Sequence, residues 1–405
     1  MKEFDVSKDY DRESFETFAV DFLPDDFERE SEEVYFDFKN IEQGFKLGTC
    51  KSLDLDVFEF RTKSNRDPRV TLTKEVVSCM KKYGSNPNAL AVFYAKESHS
   101  WRLSLITTDY TIEKGKIKTE HSNPRRFSFK LGKDCKRHTP TVSLIKKGKI
   151  LDIEDLKSRF AIEVVGKEFF AEYKVFYEDF VQYITGNRYL PKAKDKTEIH
   201  KANKDIFPQF LSLAEADNDK ACKYARDYIK KMMGRLVFLE FLQKKGWLGV
   251  EKNGKWGSGD KSFLQNFFAQ SQNKDDFLEK DLKPLFFGML NTPEADREFV
   301  FKKNKWSAKL LSQFKKVPYL NGGLFECDSL DKLTISFPKE MFSNPSCVDE
   351  AREFAGVQKN YPYGAYCGLL DFFARYNFTI DETDPADMEI GVEPEMLGKI
   401  FENLL

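Results

Sequence analysis

Residues Leu53–Tyr94 read LDLDVFEFRTKSNRDPRVTLTKEVVSCMKKYGSNPNALAVFY, and they set the architecture of the first part of the chain. The two ends, Leu53–Phe60 and Ala89–Tyr94, are rich in apolar, β-branched and aromatic residues, which favour strands. Between them, Thr73–Tyr83 has the pattern of a helix, and Gly84 is a natural stop. A strand, a helix and a second strand form a crossover unit, which predicts a partly parallel sheet.

Further elements are predicted on both sides of this unit. Val34–Phe38 and Trp101–Ile106 are strand candidates because both are rich in aromatic or β-branched residues. From Ile153 onward the pattern changes to helices, first in Phe160–Gly186. In a later helix, apolar residues from Ala225 to Leu242 form one stripe, and Gly246 is the expected C-terminal stop.

These patterns predict two regions of different class. Residues 1–150 are predicted to form an α/β domain, and residues 151–405 a mainly α-helical domain with a charged loop around 186–204. The formal net charge is −1, so any binding of nucleic acid must come from local patches. The seven cysteines are scattered, which favours reduced thiols and a cytoplasmic location, and no apolar run is long enough to suggest a membrane span.

Three segments of the second half carry a resemblance to a known family. They read GRLVFLEFLQKKGWLG (Gly234–Gly249), VPYLNGGLFE (Val317–Glu326) and LLDFFARYNFTIDETDPADMEIGVEPEMLGKIFENLL (Leu369–Leu405). In the same order, they resemble the region that precedes the catalytic domain of adenine-specific DNA methyltransferases from type IIG restriction-modification systems. The resemblance implies that double-stranded DNA is the partner and that the helical region is a connector to a methyltransferase domain.

The same resemblance implies a nuclease-like fold in the α/β domain. Nucleases of this kind hold magnesium with a pair of carboxylates, and a nearby lysine helps to position the attacking water. The acidic-x-lysine ending of the family reads Glu59-Phe60-Arg61 here, and Lys63 comes two residues too late. Glu59 is therefore the predicted metal ligand. The candidate catalytic residues are Glu59, Asp56, Arg61 and Lys63, with magnesium as the cofactor if the nuclease is active.

Two features of this motif weaken it as a nuclease site. Arginine never deprotonates and prefers a bidentate grip, so Arg61 is a poor substitute for a lysine that orients one water. Strand alternation places Asp56 on one face of the sheet and Glu59 with Arg61 on the other, so a second carboxylate would have to come from elsewhere in the chain, with Glu42 and Glu33 as candidates. The alternatives are an active nuclease, a degenerate nuclease-like domain, and a structural strand with solvated acidic residues.

A basic run extends from Lys114 to Lys149, and in it Lys and Arg outnumber Asp and Glu. Such a patch binds the phosphate backbone by releasing counterions. The alternative is a solvated hairpin face, because lysine near strand ends also prevents edge pairing. The predicted DNA-binding residues are Arg125, Arg126, Lys130, Lys133, Lys136 and Arg137.

The methyl-transfer motifs of the family are not found in this sequence. In the enzymes that it resembles, the S-adenosylmethionine loop and an Asn/Asp-Pro-Pro-Tyr/Phe motif lie downstream of the last helix. The nearest matches here are Asn86-Pro87-Asn88 and Asn344-Pro345-Ser346, and neither has the required aromatic residue. We therefore expect S-adenosylmethionine to bind only the full-length family enzyme and not this chain.

The last residues predict an amphipathic helix that begins at Pro394 and has an uncovered apolar stripe of Met396, Leu397, Ile400, Phe401 and Leu404. Three hypotheses follow. The chain is a fragment of a restriction-modification enzyme, an active magnesium-dependent endonuclease subunit, or a module that docks onto a separately encoded methyltransferase. We expect the stripe to fold back partly onto Asp371–Thr379, with a weak homodimer as the remaining consequence.

Overall fold

A computed structural model describes residues 4–35, 37–64, 69–84, 86–113, 116–133, 135–189, 197–199, 201–320, 322–344, 367–379, 388–396 and 398. The chain divides into two compact units, and each unit is built from two segments. The first unit contains Met1–Lys167 and Arg375–Val392, and the second contains Glu168–Ala374 and Glu393–Leu405. The predicted boundary at residue 150 therefore lies inside the first unit.

The helices and strands follow one another along the chain as follows. Those up to residue 159 are α1 (Arg12–Phe22), β1 (Phe27–Glu33), β2 (Ile41–Cys50), β3 (Leu55–Thr62), α2 (Arg69–Tyr83), β4 (Asn88–Tyr94), β5 (Ser100–Glu113), β6 (Lys116–Gly132), α3 (His138–Pro140) and α4 (Ile153–Arg159). The remainder are α5 (Ile162–Thr185), β7 (Asn187–Tyr189), β8 (Thr197–Ile199), α6 (Phe207–Leu213), α7 (Asn218–Lys244), α8 (Phe263–Gln270), α9 (Arg297–Lys303), α10 (Ala308–Gln313), α11 (Lys339–Phe342), α12 (Leu369–Arg375) and β9 (Met388–Glu389). Turns of π-helix lie at Thr141–Lys146, Leu278–Leu282 and Pro284–Leu290.

The first unit is built on a mixed sheet with the strand order β1-β2-β3-β4-β5-β6-β9. β3 and β4 pair in parallel, and α2 connects them, so the predicted crossover unit is confirmed. β1, β2 and β3 pair antiparallel, as do β4, β5 and β6. β9 returns from far along the chain and pairs in parallel with β6 at Phe127 and Ser128. The described residues thus form an α/β unit, as the sequence predicts.

The predicted strand at Val34–Phe38 is wrong. These residues lie between β1 and β2, and the described part of the segment forms no strand. The Val34 amide still donates to the carbonyl of Gly44 in β2 at 3.0 Å, and the side chains of Val34 and Phe38 are buried in the hydrophobic core. The strand that precedes them, β1, reads FERESEE and is mostly exposed or half-buried. Because β1 is an edge strand with few apolar residues, it lacks the hydrophobic pattern by which strands are recognised.

Helices cover both faces of this sheet. On one face, Phe58 and Phe60 of β3 and Ala91 of β4 belong to a buried cluster with Val76 and Met80 of α2. On the other face, α1 buries Phe15, Phe18, Ala19 and Phe22. Each buried side chain of this size contributes roughly 1.5–3 kcal/mol. β3 therefore crosses the unit with both faces covered, which explains why all of Leu55–Phe60 is buried.

The second unit is helical. α5 ends beside Gly186, which has φ +75°, and α7 ends before Gly246, which has φ +67°. After α7 the chain folds back, since the amide of Trp247 donates to the carbonyl of Leu242 at 3.0 Å and Leu248 is fully buried. Inside the predicted charged loop, β7 and β8 pair antiparallel. Among the described residues, no helix is long and apolar enough to cross a membrane.

Candidate functional site

Glu59 of β3 lies at the centre of a buried polar cluster on the α1 face of the sheet. Its side chain is 1% exposed. Arg12, the first residue of α1, donates from Nε to Oε2 at 2.8 Å and from a terminal nitrogen to Oε1 at 2.5 Å. Tyr10 donates to Oε2 at 2.5 Å and Tyr94 of β4 to Oε1 at 3.3 Å. The carboxylate therefore accepts four hydrogen bonds, which is about its full capacity.

The local structure explains how these groups meet. Asp11 caps α1 by accepting from the amide of Ser14 at 2.9 Å, and this cap fixes Tyr10 and Arg12 on either side of it. The Arg12 guanidinium also lies 3.9 Å from the ring centroid of Phe45, which pairs with Glu59 across β2 and β3. Burial, together with the neighbouring Glu59 carboxylate, raises the pKa of Tyr10, so its hydroxyl remains a donor. The hydrogen bond to Glu59 likewise raises the pKa of Arg12.

Asp56 lies on the opposite face of β3, as strand alternation predicts. Its side chain is fully buried. It accepts from the hydroxyl of Thr49 at 3.0 Å and from both the amide and the side chain of Asn86 at 3.1 Å. The Lys46 ammonium lies 3.4 Å away. Asn86, part of the Asn-Pro-Asn segment considered above, thus holds the turn between α2 and β4 against β3.

Arg61 and Lys63 do not lie in one site with Glu59. Arg61 donates to both oxygens of Glu42, at 3.0 and 3.2 Å. Lys63 is exposed, and its ammonium donates to the carbonyl of Phe38 at 2.7 Å. Glu33, the other proposed carboxylate, accepts from the side chain of Gln43 at 2.8 Å. Each of these charged groups is held by a local partner.

These residues do not fit a magnesium ion. Magnesium requires carboxylate oxygens that converge on one point with room for several waters. Glu59 and Asp56 diverge to opposite faces, and the oxygens of Glu59 are filled by protein donors, one of them a cation. Among the described residues, no group of three His, Cys, Asp or Glu side chains is placed to hold a metal ion. The arrangement is that of a structural ion pair that ties α1 to the sheet.

The basic run falls on the β5–β6 hairpin and the segment that follows it. Arg126 is completely buried: its Nε donates to the Ser104 hydroxyl at 3.0 Å, and its guanidinium lies 4.2 Å from the ring centroid of Phe93. Arg126 is therefore a core residue and does not lie on the surface where the prediction placed it. Sequence alone did not reveal this, because Arg125 and Arg126 are adjacent and chemically identical.

The remaining predicted DNA contacts are exposed but divided between two faces. β5 and β6 pair in uninterrupted register from Ser100–Gly132 to Thr107–Arg125, so Arg125 and Lys130 point to opposite faces of the sheet. The three cations after the strand are all exposed: Lys133, Lys136 and Arg137. The side chains of residues 109–123 and residues 114 and 115 lie outside the described residues. Of the predicted DNA contacts, Lys133, Lys136 and Arg137 are therefore the three that follow one another closely in an exposed segment of the described chain.

The predicted last helix falls largely outside the described residues. Within them, Met396 is 8% exposed, and its amide donates to the carbonyl of Glu393 at 3.1 Å. Leu397, Ile400, Phe401 and Leu404 are not among the described residues, so partial fold-back, docking and dimer formation stay predictions. In Asn344-Pro345-Ser346, only Asn344 is described, and its amide donates to Asp371 at 2.7 Å.

Comparison with known proteins gives one informative match. The chain is 25% identical over 235 residues to a protein of Methanocaldococcus jannaschii that is named "Putative type II restriction enzyme and methyltransferase". The chain is a distant relative of a restriction-modification protein. The match covers 57% of this chain and 16% of that much longer protein, so the chain spans only a small part of its relative. No protein-family model and no solved structure matches the chain.

Proposed function

We propose that this chain is a DNA-binding region of an adenine-specific restriction-modification enzyme. Its first unit is a nuclease-like scaffold that does not cleave DNA, and its second unit is the helical connector that accompanies a methyltransferase domain. The resemblance of the three segments in the second half of the chain and the distant relationship to a restriction-modification protein support this proposal. No methyl transfer is assigned to the chain itself.

The observation that carries the proposal is that the Glu59 carboxylate is buried and already bound by protein donors. A nuclease metal ligand must offer free oxygens toward the substrate, whereas Glu59 is buried and bound by Arg12, Tyr10 and Tyr94. An arginine fork is a strong charge-assisted partner that a magnesium ion would have to displace. The acidic residue of the nuclease motif therefore holds the fold together in this chain.

Two assays on the whole chain test the proposal. In the first, supercoiled plasmid is incubated with the protein and magnesium or manganese, and we expect no nicking above a buffer control. In the second, binding of a labelled duplex is measured against salt. The log–log slope should fall by about 0.9 for each phosphate contact removed. Replacing Lys133, Lys136 and Arg137 with alanine should therefore flatten it.

Lys157→Ala is the matched control, because Lys157 is an exposed cation of the first unit that pairs with Glu154 at 3.0 Å. Its slope should equal that of the wild type. Metal-dependent nicking by the wild-type chain would contradict the non-cleaving assignment. An unchanged slope in the triple variant would contradict the DNA surface. A stoichiometric site for S-adenosylmethionine in isothermal titration would contradict the absence of methyl-transfer machinery.

A further inference from the structure

Three of the four tryptophans of the chain lie in one region of the second unit. They are Trp247, Trp256 and Trp306, and the fourth, Trp101, is buried in the first unit. Trp247 is 36% exposed and Trp256 is 46% exposed. A large aromatic ring left open to water loses the free energy that its burial would provide. Two such rings in one loop therefore indicate a binding surface.

Trp247 and Trp256 form a pair in the loop that follows α7. Their ring centroids are 6.3 Å apart and their planes are inclined by 59°. The loop is fixed, since the amides of Gly257 and Gly259 both donate to the carbonyl of Gly246, at 3.1 and 2.9 Å. Each ring therefore has a defined position in the folded protein.

A lysine accompanies each exposed ring. The Lys245 ammonium lies 5.3 Å from the ring centroid of Trp247, and the Lys316 ammonium lies 4.5 Å from that of Trp256. Lys316 is held there because its backbone pairs with Val250 in both directions, at 2.8 and 3.1 Å. The surface thus carries the same arrangement twice, an aromatic ring with a lysine ammonium beside it.

A groove of about 580 Å³ begins next to this pair. The groove is lined by Gly249 and Lys315. These two residues precede Val250 and Lys316 in the chain, whose backbones pair beside Trp256, so the groove adjoins the tryptophan pair. Trp306 lies in its wall. Side-chain amides face it from Gln270, Gln272 and Gln313, and these amides make no side-chain hydrogen bond to any residue that the structure describes.

Two cations of the groove are available to an anionic ligand. Lys305 and Lys309 are exposed and form no ion pair within the described part of the chain. Three carboxylates also line the groove: Glu279 is paired with Lys283 at 2.6 Å, and the other two accept from neutral donors. Asp260 accepts from the side chain of Asn266 at 2.7 Å, and Asp281 accepts from the Ser271 hydroxyl at 2.6 Å. The groove therefore offers cations and amides whose hydrogen-bonding capacity is unused.

We propose that the groove and the adjoining Trp247–Trp256 pair form a binding site for an unpaired strand of nucleic acid. Bases stack on the exposed rings, lysines contact the phosphates, and the glutamine amides meet base edges, which also carry donors and acceptors side by side. A duplex does not satisfy these groups, because its bases are stacked on one another and show the protein only their edges. The site thus selects a nucleic-acid strand whose bases are already unpaired or unstacked.

This inference rests on the proposed function only in taking nucleic acid as the partner, since the site lies on the second unit and the duplex surface on the first. The test uses the whole chain and a fluorescein-labelled oligodeoxythymidylate of about 15 nucleotides. Binding is measured by anisotropy, together with quenching of tryptophan fluorescence. We expect binding with quenching, and Trp256→Ala should weaken binding about tenfold, since one stacked base is worth that much.

Two variants separate stacking from a structural role. Trp256→Phe keeps a stacking ring and should retain most of the affinity. Phe299→Ala removes another aromatic ring of the second unit, one that is 68% exposed and outside the groove, and should change nothing. Replacing Lys305 and Lys309 with alanine should lower the log–log salt slope by about 1.4, which is about 0.7 for each single-strand phosphate contact.

The outcomes distinguish the two proposals. Absence of oligonucleotide binding, or equal binding by the wild type and Trp256→Ala, would overturn the strand site. If a duplex of the same length still binds through Lys133, Lys136 and Arg137, the proposed function survives that failure. If the strand binds through Trp256 while the duplex does not bind, the strand site stands and the duplex surface is wrong.

Discussion

Replacing Glu59 with glutamine tests whether this residue is a structural anchor. The change keeps the shape of the side chain but removes its charge, and it places an NH₂ group against donors of Arg12 and Tyr10. Breaking a buried ion pair from one side costs about 3–5 kcal/mol. Arg12 is 35% exposed, so water recovers part of that cost. We expect Glu59→Gln to lower the free energy of unfolding of the first unit by about 2–3 kcal/mol.

The measurement should report on the first unit alone, because a chain of two units need not unfold in one step. A background with Trp247, Trp256 and Trp306 changed to phenylalanine leaves Trp101 as the single tryptophan. The Trp101 ring centroid lies 5.3 Å from that of Tyr10, so its fluorescence follows the neighbourhood of Glu59. Urea titration then gives the change in unfolding free energy from the midpoint and the slope.

Adding Arg12→Met completes a double-mutant cycle, and we expect a coupling energy between Arg12 and Glu59 in the range of about 1–3 kcal/mol. A loss below about 0.5 kcal/mol in Glu59→Gln, the range of ordinary surface substitutions, would refute the structural role. So would a rise in the urea midpoint of the parent protein with added magnesium that disappears in Glu59→Gln, because only a metal ligand would behave in that way.

Three further predictions follow from buried groups. Arg126→Ala should cost about 3 kcal/mol of unfolding free energy because it empties a core position, whereas Arg125→Ala should stay within about 0.5 kcal/mol in the same urea titration. Burial lowers the pKa of His138 to about 4, so the unfolded state binds more protons than the folded state between pH 6.5 and 4. The free energy of unfolding should be highest above pH 6.5 and fall by about 3 kcal/mol as the pH is lowered to 4. His138→Leu should remove that fall. Gly246→Ala should lower the melting temperature, with a cost above about 1 kcal/mol, because φ is +67° and the added carbon would lie 2.3 Å from the carbonyl oxygen of Gly257.

Local patterns predict the crossover and the opposite faces of Asp56 and Glu59 correctly, because both depend on nearest neighbours along one strand. They do not predict the partners of Glu59. Arg12 lies 47 residues earlier in the chain, and only the packing of α1 on the sheet brings the two together. Nothing in the short polar sequence around Tyr10 and Arg12 indicates where that helix will lie.

The same reasoning explains two other differences. β1 was missed because an exposed edge strand of charged residues carries no apolar alternation, and the apolar residues after it pack in the core and form no strand in the described segment. The exposed tryptophans were not recognised as a group because Trp247 and Trp306 are far apart in sequence. Trp247 folds back against the end of α7, but its ring remains partly open to water.

The late return of β9 to the first unit has a consequence for synthesis. Glu389 pairs with Ser128, and its carboxylate accepts from Arg102 at 3.0 Å and from Asn377 at 2.7 Å. The separation is 389 − 128 = 261 residues, and at about 5–20 residues per second the ribosome needs roughly 13–52 seconds to reach the last strand. Throughout that interval, Phe127 and Ser128 of β6 lack the partner strand that they have in the described structure. A nascent chain stalled before Glu389 therefore presents an open strand edge to its neighbours on a polysome, where aggregation or capture by a chaperone competes with completion of the sheet.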